Sequence, residues 1–378
     1  EFLEDLTHLK TYTIDDSESI EIDDAISLEK ISGNYKLWIH IASPSSYLEY
    51  DSAIDLKARK LNSTIYLSNN TIYMLPERLV REVFSLINNK KRQSISLGIT
   101  FNKDFSIAST DIVRSLIKVN YRLNYNEADE LIDYAPKEEE DLSVISNILQ
   151  TRKCIRKKLG ALDIQESYGK VVVKDNIPSI KTIEPTLSRQ LISEAMILYG
   201  DIISDYTYKN EIAVPYRVQD RKNNKNRDKI KNSENNVLNN FFLKKSMGKT
   251  FYSLCVMKHS GLGLNSYVHV TSPIRRYSDL LVHYQLNRFL TNRDLLSKNI
   301  IEQLIPDLNN LGRQNIMRCR EDQKYWLYKW FELNTFVDYQ VILLNWINRY
   351  RDICILYFVK YRFSIICNLK GKNNFSPG

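Results

Sequence analysis

The sequence predicts an α+β fold. Three observations carry that expectation: short strand patterns crowd the first 120 or so residues, helical periodicity dominates the middle, and a few short strands close the chain. In order, Thr13–Ala25 is an acidic stretch studded with isoleucines, and the Ser32-Gly33-Asn34 turn joins its flank to a strand over Lys36–Ala42, so the two form a hairpin. Residues 51–60 read as a helix and Thr64–Leu67 as extended chain. Ser94–Phe101 and Ser106–Val119 make a second antiparallel pair, with helices after Tyr125 and from Pro136 to about Lys158. Lys170–Val173 and Ile180–Ile183 form another hairpin, and Thr186–Tyr206 a long helix with Leu191, Ala195 and Leu198 on one face.

Arg221–Asn236 is rich in lysine and asparagine. It reads as a solvated loop, with a non-specific RNA contact as the sharper alternative. Ser272 and Pro273 have the chemistry of an N-cap and first helical residue, which places Arg275 and Arg276 in the first turn of a helix. Cations stand at the wrong end of the dipole there unless an anion lies in front of them, although a pairing of Arg275 with Asp279 would also satisfy the charge. Asn299–Asn334 is one long amphipathic helix with a break expected near Pro306, and Tyr339–Leu369 holds the closing strands.

The 378 residues suit two or three domains. Fifty-three lysines and arginines against 45 aspartates and glutamates give a net charge of +8, which favours a polyanionic partner without choosing among RNA, DNA and lipid. Five scattered cysteines form no Cys-x-x-Cys pair, so neither a disulfide framework nor a zinc site is expected. No apolar run reaches the roughly 20 residues of a membrane span, and the first residues lack a signal-peptide pattern.

Asp15, Asp16, Glu18, Glu21, Asp23 and Asp24 fall within ten positions, with Ile14, Ile20, Ile22 and Ile26 among them. A solvated acidic turn is one explanation. The other is a set of carboxylates fixed by core anchors: two charges about 4 Å apart repel by roughly 4 kcal/mol at an effective dielectric near 20, so converging carboxylates need a cation. Oxygen donors of this kind suit magnesium or manganese.

Two distant segments then carry a specific resemblance. Thr13-Ile-Asp-x5-Glu21-x-Asp23-Asp24-Ala25 and His269–Asp279, with its Thr-Ser-Pro-Ile-Arg-Arg-Tyr run, resemble the catalytic domain of the ribonuclease II/ribonuclease R (RNB) family. Tyr66-Leu67, Met74-Leu75-Pro76, Gly160–Asp163, Tyr216-Arg217 and His259-x-Gly261 agree in order, over about residues 1–335. The resemblance implies an RNB-type domain of mixed or antiparallel sheet with surrounding helices over 1–335, followed by a partial OB-like RNA-binding module over 336–378. It implies a processive, magnesium-dependent 3′→5′ exoribonuclease, with manganese as a possible substitute, that releases nucleoside 5′-monophosphates from single-stranded RNA. The alternative is a catalytically weak relative that keeps the RNA channel.

On that resemblance Asp15, Glu21, Asp23 and Asp24 hold the metal, with Asp23 the most critical, and Arg275 sits beside the scissile phosphate. Tyr66 and Tyr125 lie against nucleotides, and Glu194, Arg217, His259 and Arg276 are further RNA contacts. Some positions depart from the family pattern. Glu21 stands where aspartate is frequent, Ile164 where an aromatic usually completes the base clamp, and no cold-shock modules precede Glu1. A monomer that contacts no membrane is expected. The glycine-poor composition, recurrent in lysine, asparagine and isoleucine, resembles translation of an AT-rich genome and suggests a plastid stroma, with a bacterial cytoplasm as the alternative.

Overall fold

The computed structural model describes residues 3–31, 33–137, 140–221, 236–371 and 374–378; most of the lysine- and asparagine-rich loop expected over 221–236 lies outside them. The first third of the chain contributes β1 (Glu4–Asp5), β2 (Thr11–Ile14), β3 (Asp24–Ile31), β4 (Asn34–Ala42), α1 (Ala53–Leu61), β5 (Ile65–Tyr66), β6 (Thr71–Ile72), α2 (Glu77–Leu79), β7 (Lys91–Phe101), β8 (Ile107–Lys118) and β9 (Tyr121–Leu123). Seven of these strands form one mixed sheet in the order β1-β8-β7-β4-β3-β2-β9. Only β1 with β8 and β2 with β9 run parallel. The hairpin expected across Gly33 is β3–β4, and Gly33 has the positive φ of 84° that such a turn needs.

Strand alternation sorts the sheet's two faces. Leu37, Ile39 and Ile41 of β4 point into a core with α3 (Tyr125–Tyr134), α4 (Glu140–Lys158) and the strands around Ile95–Ile99. Trp38 and Ala42 point the other way, into a second core with Met74, Leu75, Tyr277 and Leu280. A buried polar stripe crosses that second face. Thr11 meets Ser27 at 2.9 Å, the His40 ring bonds Ser27 at 3.0 Å and Ser96 at 2.7 Å, and Ser96 meets Ser115 at 2.6 Å.

Further along come the hairpin β10 (Tyr168–Lys174) and β11 (Ile177–Ile183), α5 (Leu187–Lys209), and β12 (Tyr216–Arg221). Then follow α6 (Asn236–Ser246), β13 (Met247–Ser253), α7 (Tyr277–Leu290) and α8 (Lys298–Leu333). The chain closes on the antiparallel sheet β14 (Val341–Asn348), β15 (Ile353–Phe358) and β16 (Phe363–Asn368). Ser272 is not the N-cap of α7. That helix starts at Tyr277, because Arg276 is drawn into extended conformation (φ −133°, ψ 125°) and bridges to Ser63. Nor does α8 break at Pro306. The proline removes one hydrogen bond, and burial of Ile301, Leu304 and Leu308 along one face holds both sides of the gap together. No helix among the described residues is long and apolar enough to cross a membrane.

Candidate active site

The acidic stretch is anchored as its isoleucines require. Ile14 and Ile22 are each 2 % exposed and Ile26 is fully buried, so β2 ends and β3 begins with carboxylates emerging at the same end of the sheet. Backbone bonds fix the connection: Asp15 N–H donates to Leu123 O at 3.1 Å, Leu86 N–H to Ile22 O at 3.0 Å and Ala42 N–H to Asp23 O at 2.8 Å. Arg122 donates to Ser19 O at 2.8 Å, and Ser85 Oγ to Ile20 O at 2.6 Å. A loop held at this many points keeps its side chains in place.

Facing it is the segment Thr271–Arg276. Ile274 N–H donates to Asp23 Oδ1 at 2.9 Å, and Arg275 Nε donates to Asp23 Oδ2 at 3.3 Å. The two arginines divide the work that the sequence left open. Arg276 donates from both Nε (3.1 Å) and a terminal nitrogen (2.7 Å) to Oδ2 of the fully buried Asp279, which also accepts Ser272 N–H at 2.9 Å. The pairing entertained for Arg275 with Asp279 therefore belongs to Arg276, which braces the segment. Arg275 keeps a side chain 41 % exposed beside the carboxylates.

Glu21 and Tyr66 are brought together. The Thr64 hydroxyl donates to Glu21 Oε1 at 2.6 Å and the Tyr66 hydroxyl to Glu21 Oε2, while Thr64 N–H donates to Arg275 O at 3.0 Å. The Tyr66 residue stays 45 % exposed. Tyr125 is half-buried, with the Arg189 guanidinium 3.7 Å from its ring centre and Arg189 in turn ion-paired to Asp16 at 2.6 Å.

Glu194 lies on α5, in a cavity also lined by Arg156 and Arg189. It is buried, and its carboxylate accepts a two-pronged contact from Arg156, Nε at 3.0 Å and a terminal nitrogen at 2.5 Å. Ile164 lines the same cavity of about 320 Å³, with Asp163, Arg156 and Arg189. Gly263 closes this region: its φ is +68°, and a Cβ there would lie 2.7 Å from Ala161 N, so the loop bearing Ile164 rests directly on its backbone.

Arg217 and His259 belong to an aromatic cluster. The Arg217 guanidinium lies 4.6 Å from the Tyr252 ring centre, and the His259 and Tyr267 rings meet edge-on at 5.6 Å. Sequence reasoning missed Thr64, Arg156, Arg189, Tyr252 and Tyr267. Only Arg156 carried a local signal, as a cation in the last turn of a helix, where nothing reveals its partner.

Burial leaves the carboxylates reluctant to ionise. Asp23 is pushed up to about 8 by desolvation, opposed by Arg275, and Asp24 to about 7 by desolvation with Asp15 adding to the rise. Asp15 and Glu21 are raised by the same cause. Among the described residues no three His, Cys, Asp or Glu side chains lie close enough to share one ion. The donors nonetheless fit a hard cation in chemistry: among the described residues no hydrogen bond reaches Asp15 Oδ2 or the Asp24 carboxylate, whereas both oxygens of Asp23 and of Glu21 are engaged.

Residues 3–292 match the family model described as RNB domain. A ribonuclease of Synechocystis, itself uncharacterized, is 30 % identical over 91 % of this chain and 52 % of its own length. The chloroplastic/mitochondrial ribonuclease II of Arabidopsis thaliana is 33 % identical over 82 % of this chain and 41 % of its own. The chain thus spans about half the length of these relatives. Among solved structures, Mycoplasma genitalium RNase R in complex with ribose-methylated single-stranded RNA superposes with a TM-score of 0.87 at 22 % identity, over 98 % of this chain and 64 % of that one. Yeast Ssd1, a pseudonuclease, shares the fold at a TM-score of 0.77 and 16 % identity, over 97 % of this chain and 50 % of that one.

Proposed function

The chain belongs to the RNB domain family, and from that premise we propose that it hydrolyses single-stranded RNA processively from the 3′ end, with magnesium or manganese, releasing nucleoside 5′-monophosphates. The observation that supports this best is the meeting of Asp23 with Arg275, residues far apart in sequence, at the open end of the acidic loop. Phosphodiester cleavage needs charge of both signs within one small site. Asp15 and Asp24 would hold the cation, which when bound supplies positive charge against the scissile phosphate and acidifies water. The exposed Arg275 guanidinium can donate two hydrogen bonds to the phosphate as negative charge builds in the transition state. Tyr66 offers a ring on which any base can stack, in keeping with a degrader indifferent to sequence.

A net charge of +8 favours such a substrate. In this reading residues 1–335 are the catalytic domain, 336–378 a partial OB-like RNA-binding module, and the protein a monomer. The Synechocystis and Arabidopsis relatives support a plastid stroma, or a bacterial cytoplasm, as its location. A second reading, a catalytically weak relative that keeps the RNA channel, is favoured by Ile164, which stands where the family usually has an aromatic to complete the base clamp. The two separate in one experiment. Single-stranded RNA labelled at its 5′ end is incubated with magnesium and either wild type or Asp23→Asn. A descending ladder from wild type alone is expected; equal products from both proteins, or cleavage of DNA only, would sink the proposal, and binding without products would favour the second reading.

A further inference from the structure

We propose that Glu21 is a positioning residue that aims the Tyr66 ring, and that it is not a donor to the cation. The inference rests on the RNA-degrading reading only for its consequence, the grip on a base; the geometry is independent of it. Both Glu21 oxygens are spent on protein donors, Oε1 on the Thr64 hydroxyl at 2.6 Å and Oε2 on the Tyr66 hydroxyl. The Thr64 oxygen in turn accepts Met74 N–H at 3.1 Å, so the acceptor side of the bridge is also fixed. Glu21 is 8 % exposed. A carboxylate there must be hydrogen-bonded, and these two hydroxyls meet that need without an ion.

Tyr66 shows the complementary half. Its residue is 45 % exposed while its hydroxyl is tied down, so the phenol is held at its tip with the ring face open. The short strand that carries it is clamped on both sides. Thr64 N–H donates to Arg275 O at 3.0 Å and Tyr277 N–H to Asn62 O at 2.9 Å, while Ser68 N–H donates to Asp322 Oδ2 at 2.7 Å. With the backbone fixed, χ1 and χ2 of Tyr66 are the remaining freedom, and the bond to Glu21 removes it. The longer side chain also has a purpose here. Aspartate at position 21 would be one methylene shorter and could not span both hydroxyls from the same backbone. Glu21 thereby links the acidic loop, the backbone of Arg275 and the stacking ring in one hydrogen-bonded chain.

The test uses the full chain with 3-fluorotyrosine at position 66, Glu21→Gln and Glu21→Ala variants, and Tyr66→Phe. Wild type should give one narrow, displaced fluorine resonance, which moves toward the free-tyrosine position in Glu21→Ala. Manganese affinity should stay within about threefold in Glu21→Gln while Asp24→Asn loses about tenfold or more. Metal-free RNA affinity should drop about five- to tenfold in Glu21→Ala and in Tyr66→Phe, with the double variant no weaker than either single one. An unmoved fluorine signal, a tenfold loss of manganese affinity in Glu21→Gln, or multiplying losses in the double variant would each overturn the inference. Should Glu21→Ala fail to fold, Glu21→Gln, which offers the Tyr66 hydroxyl at best a neutral acceptor, should still move the fluorine signal part of the way, and a signal identical to that of wild type would overturn the inference. A wild type that bound no RNA would defeat the proposed function, and the fluorine and manganese arms would still decide the role of Glu21.

Discussion

Arg275 donates to Asp23 across 252 positions of sequence, at 3.3 Å, and the aspartate side chain it reaches is 2 % exposed while the arginine side chain is 41 % exposed. This asymmetry gives the two residues different substitution behaviour. Arg275→Ala removes the side chain proposed to donate to the phosphate, with little packing behind it. A fall in kcat of about 10²–10³ is expected, with RNA affinity changed far less, since a donor aimed at developing charge acts mainly in the transition state. Single-turnover rates beside equilibrium RNA binding would check it, and equal losses in both would mean uniform binding.

Asp23→Asn has the opposite profile. Burial raises the folded carboxyl from 3.8 to about 8, so ionised Asp23 is a cost to the metal-free fold. That cost is absent below pH 3.8, grows as pH rises, and is complete above about 8. The amide keeps the Ile274 N–H bond without the charge. In EDTA the variant should therefore be the more stable protein by about 1–4 kcal/mol at pH 8, with no gain near pH 4, while RNA cleavage is abolished. Urea unfolding at the two pH values gives the comparison.

Protons and the cation should compete for the acidic loop. Asp24 is held up to about 7 by burial and by Asp15, so it must lose a proton before it can serve as a donor. Manganese affinity, read by electron spin resonance, is expected to be about tenfold weaker at pH 6 than at pH 8. A flat profile would remove Asp24 from the donor set.

How much of this was legible in the sequence follows from what each kind of signal encodes. The β3–β4 hairpin, the β7–β8 pair and α5 are local patterns, and strand period, turn residues and helix faces expose them before any folding. The isoleucines around Asp15–Asp24 left a solvated turn and anchored carboxylates both open, and burial of Ile14, Ile22 and Ile26 is what decides for the anchored arrangement. What stayed hidden is contact between distant segments. Asp279 lies within a turn of both Arg275 and Arg276, so local spacing cannot choose between them; it is Arg276, bridged to the distant Ser63, that takes the carboxylate and leaves Arg275 toward the site, and nothing near Glu194 says that Arg156 will cover it. The start of α7 was misplaced for the same reason: Ser272-Pro273 has good cap chemistry, and the bridge from Arg276 to Ser63 overrides it.

Glu194 illustrates the consequence. The resemblance makes it an RNA contact, yet both of its oxygens meet Arg156, and both side chains are nearly buried, 8 % and 12 % exposed. Removing one partner strands the other charge, so Glu194→Ala should cost about 3 kcal/mol of stability. RNA affinity of the folded fraction should change by less than about twofold if the pair is structural. Denaturant titration together with RNA binding below the transition separates the roles; a direct substrate contact would show as weakened binding with unchanged stability.

The polar stripe beneath the sheet sets a limit on acid tolerance. His40 is fully buried, its two ring nitrogens are bonded to Ser27 and Ser96, and burial lowers its pKa from 6.5 to about 3. It is neutral in the fold and basic once unfolded, so its contribution is intact above pH 6.5 and declines as pH falls from there toward 3. Between pH 7.5 and 4.5 the unfolded chain gains about two pH units of protonation that the native chain cannot match, worth roughly 2–3 kcal/mol. Asn at position 40 still reaches one of the serines and does not titrate. The stability lead of wild type over His40→Asn, measured by urea unfolding, should therefore shrink by that amount over this interval. Cavity and hydrogen-bond losses are the same at both pH values and cancel in the comparison, so a lead that stays constant would mean that the ring takes up its proton in the native core as readily as in the unfolded chain.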